Sequence, residues 1–312
     1  MSDRLEGPRE QERCNMTYDE LSVNLLKHTI HRLRRLYETA GFEPGVVLEI
    51  GLKPQWNVVI GSNGQCGMAI NFTGIHSLQE TPEPDLEKLK SYIGGSLMAM
   101  AEEAIPCRNI PMRAIGVAAL SALSQPLLSP DSLRSRGIEC DERSAVMAEL
   151  VRSTDIVTVV GYGGLVRSLV GTCKEIHITE MRPRETFTTT VIGRTVDYGP
   201  KVLSIHEERE NEFVLGRSDV VILTGSSLVN GTFAGLLAYS RRARSIGLYG
   251  PSACLIPDVL FEQGVEFVLS HRIRDPERFR YDMVNDIDME TALKTHQQLQ
   301  VIRKGQANAS VA

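Results

Sequence analysis

Paired cysteines are missing from this sequence. Its six cysteines, Cys14, Cys66, Cys107, Cys140, Cys173 and Cys254, form no CxxC or comparable cluster, which excludes a zinc knuckle or a redox dithiol and leaves reduced thiols as small apolar fillers. Long apolar runs are missing too. No stretch approaches the roughly 20 residues of a membrane helix, and the opening MSDRLEGPREQERCNMT is charged, without the apolar core of a secretory signal. A cytoplasmic protein with no membrane partner is expected. There is also no excess of positive charge: 34 basic and 39 acidic residues are interspersed, the net charge is −5, and nothing predicts nucleic acid as a partner. RRARS at 241–245 reads as the cationic last turn of a helix. HExxH, GxSxG and a Walker A lysine are absent, so none of those chemistries is written here. His28 and His31, three apart on an amphipathic segment, read as solvent-facing rather than as a metal pair.

What the sequence does have is 312 residues, 42% of them hydrophobic, enough for two domains with real cores. Residues 1–16 read as a disordered arm and 305–312 as a polar tail. Thr17 and Glu20 form a capping box ahead of a helical stripe through Leu21, Leu25, Leu26, Ile30, Leu33, Leu36 and Tyr37. VVLEIGL (46–52), WNVVIG (56–61) and MAINF (68–72) read as an antiparallel meander, followed by one helix over 84–104 and another over 113–123. Residues 17–128 are thus an α+β domain. The stretch SQPLLSPDSLRSRGIE, with two prolines and several turn formers, reads as a linker, placed at 129–140. From 141 to 304, short continuous apolar strands alternate with helices: DERSAVMAELVRS is a helix, and IVTVV, EIHITE, DVVILTG, SIGLYG and VEFVLS are strands. That alternation predicts a doubly wound, Rossmann-like parallel sheet covered on both faces.

In such sheets ligands bind beyond the carboxyl ends of the strands. After the first strand stand Gly161, Tyr162, Gly163 and Gly164, a turn that lets the backbone approach a ligand, although Val166 occupies the place of the third glycine of GxGxxG. Glu180 ends the second strand about twenty residues on, where Rossmann-type sites carry the acid that binds ribose hydroxyls. Together they suggest an adenosyl cofactor, S-adenosylmethionine or NAD, with NADP disfavoured by the acid. The competing reading pairs Glu180 with Arg182 or Arg184. After the third strand, Thr224, Ser226, Ser227, Asn230 and Thr232 offer hydroxyl and amide groups, and Gly225 offers close backbone approach. Helix capping by Ser227 or Asn230 accounts for only one of them. Gly250, Pro251 and Ser252 open the next helix toward the same rim, and His271 follows the last strand, where it can titrate near neutrality. A small-molecule ligand is expected there; a homo-oligomer is left open.

TGSSLVNGT at 224–232 after an Asp-led strand, GPSACLIPDVLFEQGVEFV at 250–268, VVGYGGLV at 159–166 and RAIGVAALSAL at 113–123 together resemble the heavy-metal-chelation family. Its members join an enolase N-terminal-like domain to a Rossmann-like domain, and the likeness runs from Leu21 to Asp275. The resemblance implies one site in the cleft between the domains, binding a small polar ligand, a metal chelate or a metal ion. It departs at Ser121, where the family's helix commonly carries Asn. A metal reading expects Cys, His or carboxylate ligands to converge in the cleft, and the sequence shows no such convergence. The alternatives are an S-adenosylmethionine-using enzyme that builds an amino-acid-derived chelator and an NAD-linked oxidoreductase, which lacks an evident proton-transfer residue near the rim.

Overall fold

Helix α1 (Tyr18–Ala40) starts at the expected capping box: Thr17 Oγ1 accepts the Glu20 N–H at 3.2 Å, and the Glu20 carboxylate accepts the Thr17 N–H at 2.8 Å. Its Leu26, Ile30, Leu33 and Tyr37 are buried. The structure is a computed structural model that describes residues 16–74, 81–142, 147–182, 203–285 and 287–305. The expected arm and tail lie, but for Met16 and Gly305, outside these residues. Among the described residues no helix is long and apolar enough to cross a membrane.

Strands β1 (Val47–Leu52), β2 (Trp56–Gly61) and β3 (Cys66–Ile70) form the antiparallel meander. The single helix expected over 84–104 is two, α2 (Leu86–Tyr92) and α3 (Leu97–Ala104). The break falls at Gly94-Gly95, where Gly94 takes φ +79° and the backbone leaves the helix to bond with β1: Val47 N–H donates to Gly95 O at 2.9 Å and Gly94 N–H to Val47 O at 2.8 Å. Helix α4 (Ile110–Ser124) is rich in alanine and buried along nearly its whole length.

The stretch expected as a linker folds into a 3-10 turn, a short helix α5 (Pro130–Ser135) and a strand β4 (Ile138–Asp141) that joins the large sheet. The helix expected over 141–153 is seen as α6 (Met147–Leu150), because Asp141 belongs to β4; residues 143–146 lie outside the described part. Then follow β5 (Ile156–Val160), α7 (Leu165–Leu169), β6 (Glu175–Glu180), β7 (Leu203–Glu207), α8 (Asn211–Leu215), β8 (Val220–Thr224), α9 (Ser226–Asn230), α10 (Phe233–Tyr239), β9 (Ser245–Tyr249), α11 (Asp258–Glu262), β10 (Phe267–Ile273), α12 (Pro276–Val284), α13 (Met289–His296) and β11 (Gln297–Lys304).

The large sheet runs β4-β11-β10-β9-β8-β5-β6-β7. Its six strands from β10 to β7 are parallel and follow the Rossmann order, with β5 central and the topological switch between β5 and β8. Val220, Val221, Ile222 and Leu223 are all buried, as a strand covered on both faces requires. The wholly parallel sheet expected from sequence is corrected at one edge: β11 pairs antiparallel with both β10 and β4. β11 escaped notice because its first half is QQLQ and α13 runs straight into it without a turn residue.

The two units share one apolar core. Leu26 and Leu33 of α1, Leu120 and Leu123 of α4, and Val229, Leu255 and Val259 of the Rossmann-like unit belong to one buried cluster. Polar ties reinforce it: Ser252 Oγ accepts the Ile70 N–H at 2.9 Å, and buried Arg113 pairs with Asp19 while donating to Val229 O at 3.3 Å.

Candidate functional site

A cavity of about 430 Å³ opens over the switch point. One wall is the turn after β5, Gly161 to Leu165; a second is the loop after β8, with Thr224, Ser226, Ser227, Asn230 and Thr232; a third is Gly250, Pro251 and Ser252. Trp56, Ile70 and Phe72 of the meander cover it with an apolar face, and Thr179, Glu180, Met181, Arg182, Glu208 and Asn211 complete the lining. The structure therefore gathers every sequence-predicted site residue into one cleft except Gly225 and His271.

Glu180 is spoken for. Its Oε2 accepts the Tyr162 N–H at 2.9 Å and the Arg182 guanidinium at 2.8 Å, and its Oε1 accepts the N–H groups of Met181 at 2.9 Å and Arg182 at 3.1 Å. Four donors fill what a carboxylate can accept. Burial alone would raise this carboxyl, but Arg182 and the Tyr162 N–H outweigh it and hold Glu180 below the usual range. Of the two readings open from sequence, the arginine pair is the one formed, with Arg182; Arg184 lies outside the described residues. The carboxylate thereby pins the glycine turn, where Gly161 takes φ +85° and its carbonyl accepts the Tyr249 hydroxyl at 2.5 Å. Burial drives the Tyr249 pKa upward, so it stays a neutral donor.

Much of the hydroxyl-rich loop is likewise committed. Ser227 donates to Thr224 O at 2.6 Å; Asn230 Oδ1 accepts both the N–H and the hydroxyl of Thr232, at 3.2 and 2.8 Å; Thr224 Oγ1 accepts the Ser226 N–H at 3.3 Å. Gly225 serves packing instead of ligand approach, because a Cβ there would lie 2.4 Å from the Ala253 nitrogen.

His271 does not stand at the rim. Pairing with β11 carries β10 on to Ile273, which places the imidazole inside the strand, 5% exposed, with Nδ1 3.3 Å from Cys254 Sγ. Burial pushes the imidazole down to about 4 and the Cys254 thiol up to about 11, so both are neutral at pH 7 and His271 does not titrate there as expected from sequence.

Two cleft atoms are left over. Thr179 Oγ1, on a side chain 1% exposed, and Asn211 Oδ1 are buried and without a hydrogen-bond partner among the described residues. A buried polar atom in this state costs about 1–3 kcal/mol unless something fills its bond. Sequence reading missed both. Thr179 was legible as the neighbour of Glu180 at the strand end, but nothing marked Asn211, because β7 before it was not recognised. Trp56, Ile70 and Phe72 carried no signal either, since their place over the cleft depends on how the units pack. A metal ion fits this cleft poorly: among its described lining residues Glu180 and Glu208 are the carboxylates, there is no Cys or His, and Glu180 has no free lone pair.

A Rossmann strand order with an α+β unit closing the switch point defines a two-unit α/β protein with a ligand-sized cleft. Two family models match the chain, over residues 145–285 and 34–124, and both carry the description "Putative heavy-metal chelation". The chain belongs to this family. A solved protein of unknown function from the DUF364 family of Desulfitobacterium hafniense is 22% identical, with TM-score 0.63, over 88% of this chain and 98% of that one. Another, from Pyrococcus horikoshii, is 19% identical, with TM-score 0.64, over 89% of this chain and 99% of that one. At these identities the likeness speaks for the fold. No curated protein matches the sequence.

Proposed function

We propose that the cleft binds a small polar organic ligand, a metal chelate included, and that any metal held there arrives already wrapped in its chelator. The observation that carries this is the pair of buried polar atoms without a partner among the described residues, Thr179 Oγ1 and Asn211 Oδ1, in a cavity whose other side-chain polar groups are mostly satisfied internally and whose cover is Trp56, Ile70 and Phe72. An apolar-walled pocket with a few convergent polar groups is the usual form of a small-molecule site. The family description points the same way without specifying the molecule. The closing α+β unit is read as enolase N-terminal-like.

A second reading is an adenosyl cofactor, S-adenosylmethionine or NAD, used in building such a chelator. The Rossmann strand order and the glycine turn favour it. The commitment of Glu180 to Tyr162 and Arg182 weighs against it, because ribose would have to displace those donors.

Calorimetric titration with S-adenosylmethionine, NAD and the Ni²⁺ complex of histidine separates the readings. The Ni²⁺–histidine chelate should bind, and Thr179→Val should weaken it about 3- to 10-fold, the loss of one ordinary hydrogen bond. Tight S-adenosylmethionine or NAD binding, with none of the chelate, replaces the first reading by the second.

A further inference from the structure

Two histidines outside the cleft stand side by side on β6 and β7. In the parallel register His177 faces Ser204 and Thr179 faces His206, so the two imidazoles project from one face of the sheet, a diagonal step apart. His177 Nδ1 lies 3.0 Å from His206 Nε2. Each outer ring nitrogen meets a carboxylate: His177 Nε2 is 3.4 Å from Glu175 Oε2, and His206 Nδ1 is 3.3 Å from Glu210 Oε1. The side chains of His177 and His206 are 20% and 18% exposed, so solvent reaches both.

This row of carboxylate, imidazole, imidazole and carboxylate has three junctions, and each needs a proton to be attractive. Two neutral imidazoles carry two N–H groups, and ionised carboxylates carry none. When both imidazoles donate outward, to Glu175 and Glu210, the inner nitrogens are left as facing lone pairs. That junction accepts either a third proton or a cation. With metal–nitrogen bonds of about 2.1 Å, the 3.0 Å separation corresponds to an angle of about 90° at the metal. This is the cis angle of tetragonal or octahedral sites, which suit Cu²⁺ and Ni²⁺ with imidazole donors. An outward N–H held by a carboxylate is also how metal-bound histidines are oriented. The two carboxylates balance a divalent charge, partly offset by Lys174, 3.2 Å from Glu175, and by Arg217 near His177.

We propose that His177 and His206 bind one divalent transition-metal ion of the Cu²⁺ or Ni²⁺ type, with Glu175 and Glu210 orienting the rings. Among the described residues no group of three or more His, Cys, Asp or Glu is placed to hold a metal, so the site offers two nitrogens and leaves its other positions to water or to a chelator. His177 lies two residues before Thr179 on β6 and His206 stands beside Thr179 on β7, so the site borders the cleft floor, but the proposal does not depend on what the cleft binds.

The test is titration of the full chain with CuCl₂, read by calorimetry and by the nitrogen couplings in the Cu²⁺ electron paramagnetic resonance spectrum. One equivalent with two imidazole nitrogens is expected. His177→Ala and His206→Ala should each lower affinity at least tenfold and remove one nitrogen coupling. Glu210→Gln should cost about 10- to 100-fold, while His28→Ala should change nothing. Unchanged affinity in either histidine variant, or no copper bound below millimolar concentration, overturns the proposal. If the histidine variants do not fold, as judged by circular dichroism, unchanged affinity in Glu210→Gln overturns it.

Discussion

The turn after β5 and the loop after β8 face each other across the switch point, and both are crowded with groups that look made for a ligand. They use those groups differently. The turn is held from outside itself: Glu180 and Arg182 at the end of β6 fasten the Tyr162 backbone, and the Tyr249 hydroxyl at the end of β9 fastens the Gly161 carbonyl. The loop is held from within, hydroxyl to backbone and amide to hydroxyl, and is wedged against the 251–253 turn through Gly225. In both places the side-chain polar groups are largely scaffold, and among the described residues the buried side-chain atoms of the cleft that lack a partner belong to Thr179 and Asn211, outside either motif. Preorganisation by internal bonds is how a rigid site is made, so a motif rich in donors and acceptors is not by itself the part that touches the ligand.

Breaking the loop should have the largest effect. An alanine Cβ at 225 meets the backbone of Ala253 and Ser252 at 2.4 and 2.7 Å, neither of which can yield like a flexible side chain. Gly225→Ala should therefore cost about 3 kcal/mol in urea denaturation, at the upper end for overpacking. A comparable effect belongs to the interior of β10, outside the cleft. The folded-state pKa of His271 is depressed to about 4 from 6.5, so its neutral form is the one the fold holds. As pH falls below 6.5 the unfolded chain takes up a proton that the folded chain refuses until about pH 4. Stability is thus complete above pH 6.5 and falls by about 3 kcal/mol through that window, and His271→Gln should flatten this slope in denaturation series between pH 7 and pH 4.

The turn also loses stability as pH falls, but there the fold holds the charged form and not the neutral one. Glu180 has a depressed carboxyl pKa, so its contribution is present above the unfolded value of 4.5 and is lost as pH falls through the lower folded value. Glu180→Gln should cost about 2 kcal/mol at pH 7, since one partner of a buried charge pair is removed while part of the hydrogen bonding persists. The difference from the parent should shrink once the parent's own carboxyl is protonated, which acid denaturation curves of the two proteins would show. The smallest change is expected at the cleft floor. Thr179→Val removes a buried oxygen with no partner among the described residues and should make the unliganded protein about 1 kcal/mol more stable, the low end of what such an atom costs. Its loss should be confined to ligand affinity, which separates a binding group from a scaffold group.

The sequence by itself determined the local elements and the chemistry of the strand ends. Thr17 and Glu20 wrote the start of α1, the valine- and isoleucine-rich runs wrote β5, β8 and β9, and the parallel alternation placed Gly161, Glu180, Thr224 and Ser252 on one rim. Those features depend on neighbours a few residues apart, which capping, periodicity and strand burial make readable. What only the tertiary structure decided was pairing between distant segments. Gly94 left its helix because β1 offered backbone bonds; QQLQVIRK became β11 because β10 and β4 accepted it; His271 was carried from rim to interior by that same pairing; and Trp56 came to cover a cleft more than a hundred residues away along the chain. Whether Glu180 was free for a ligand was also settled there, because a carboxylate is available only after every donor that folds against it has been counted.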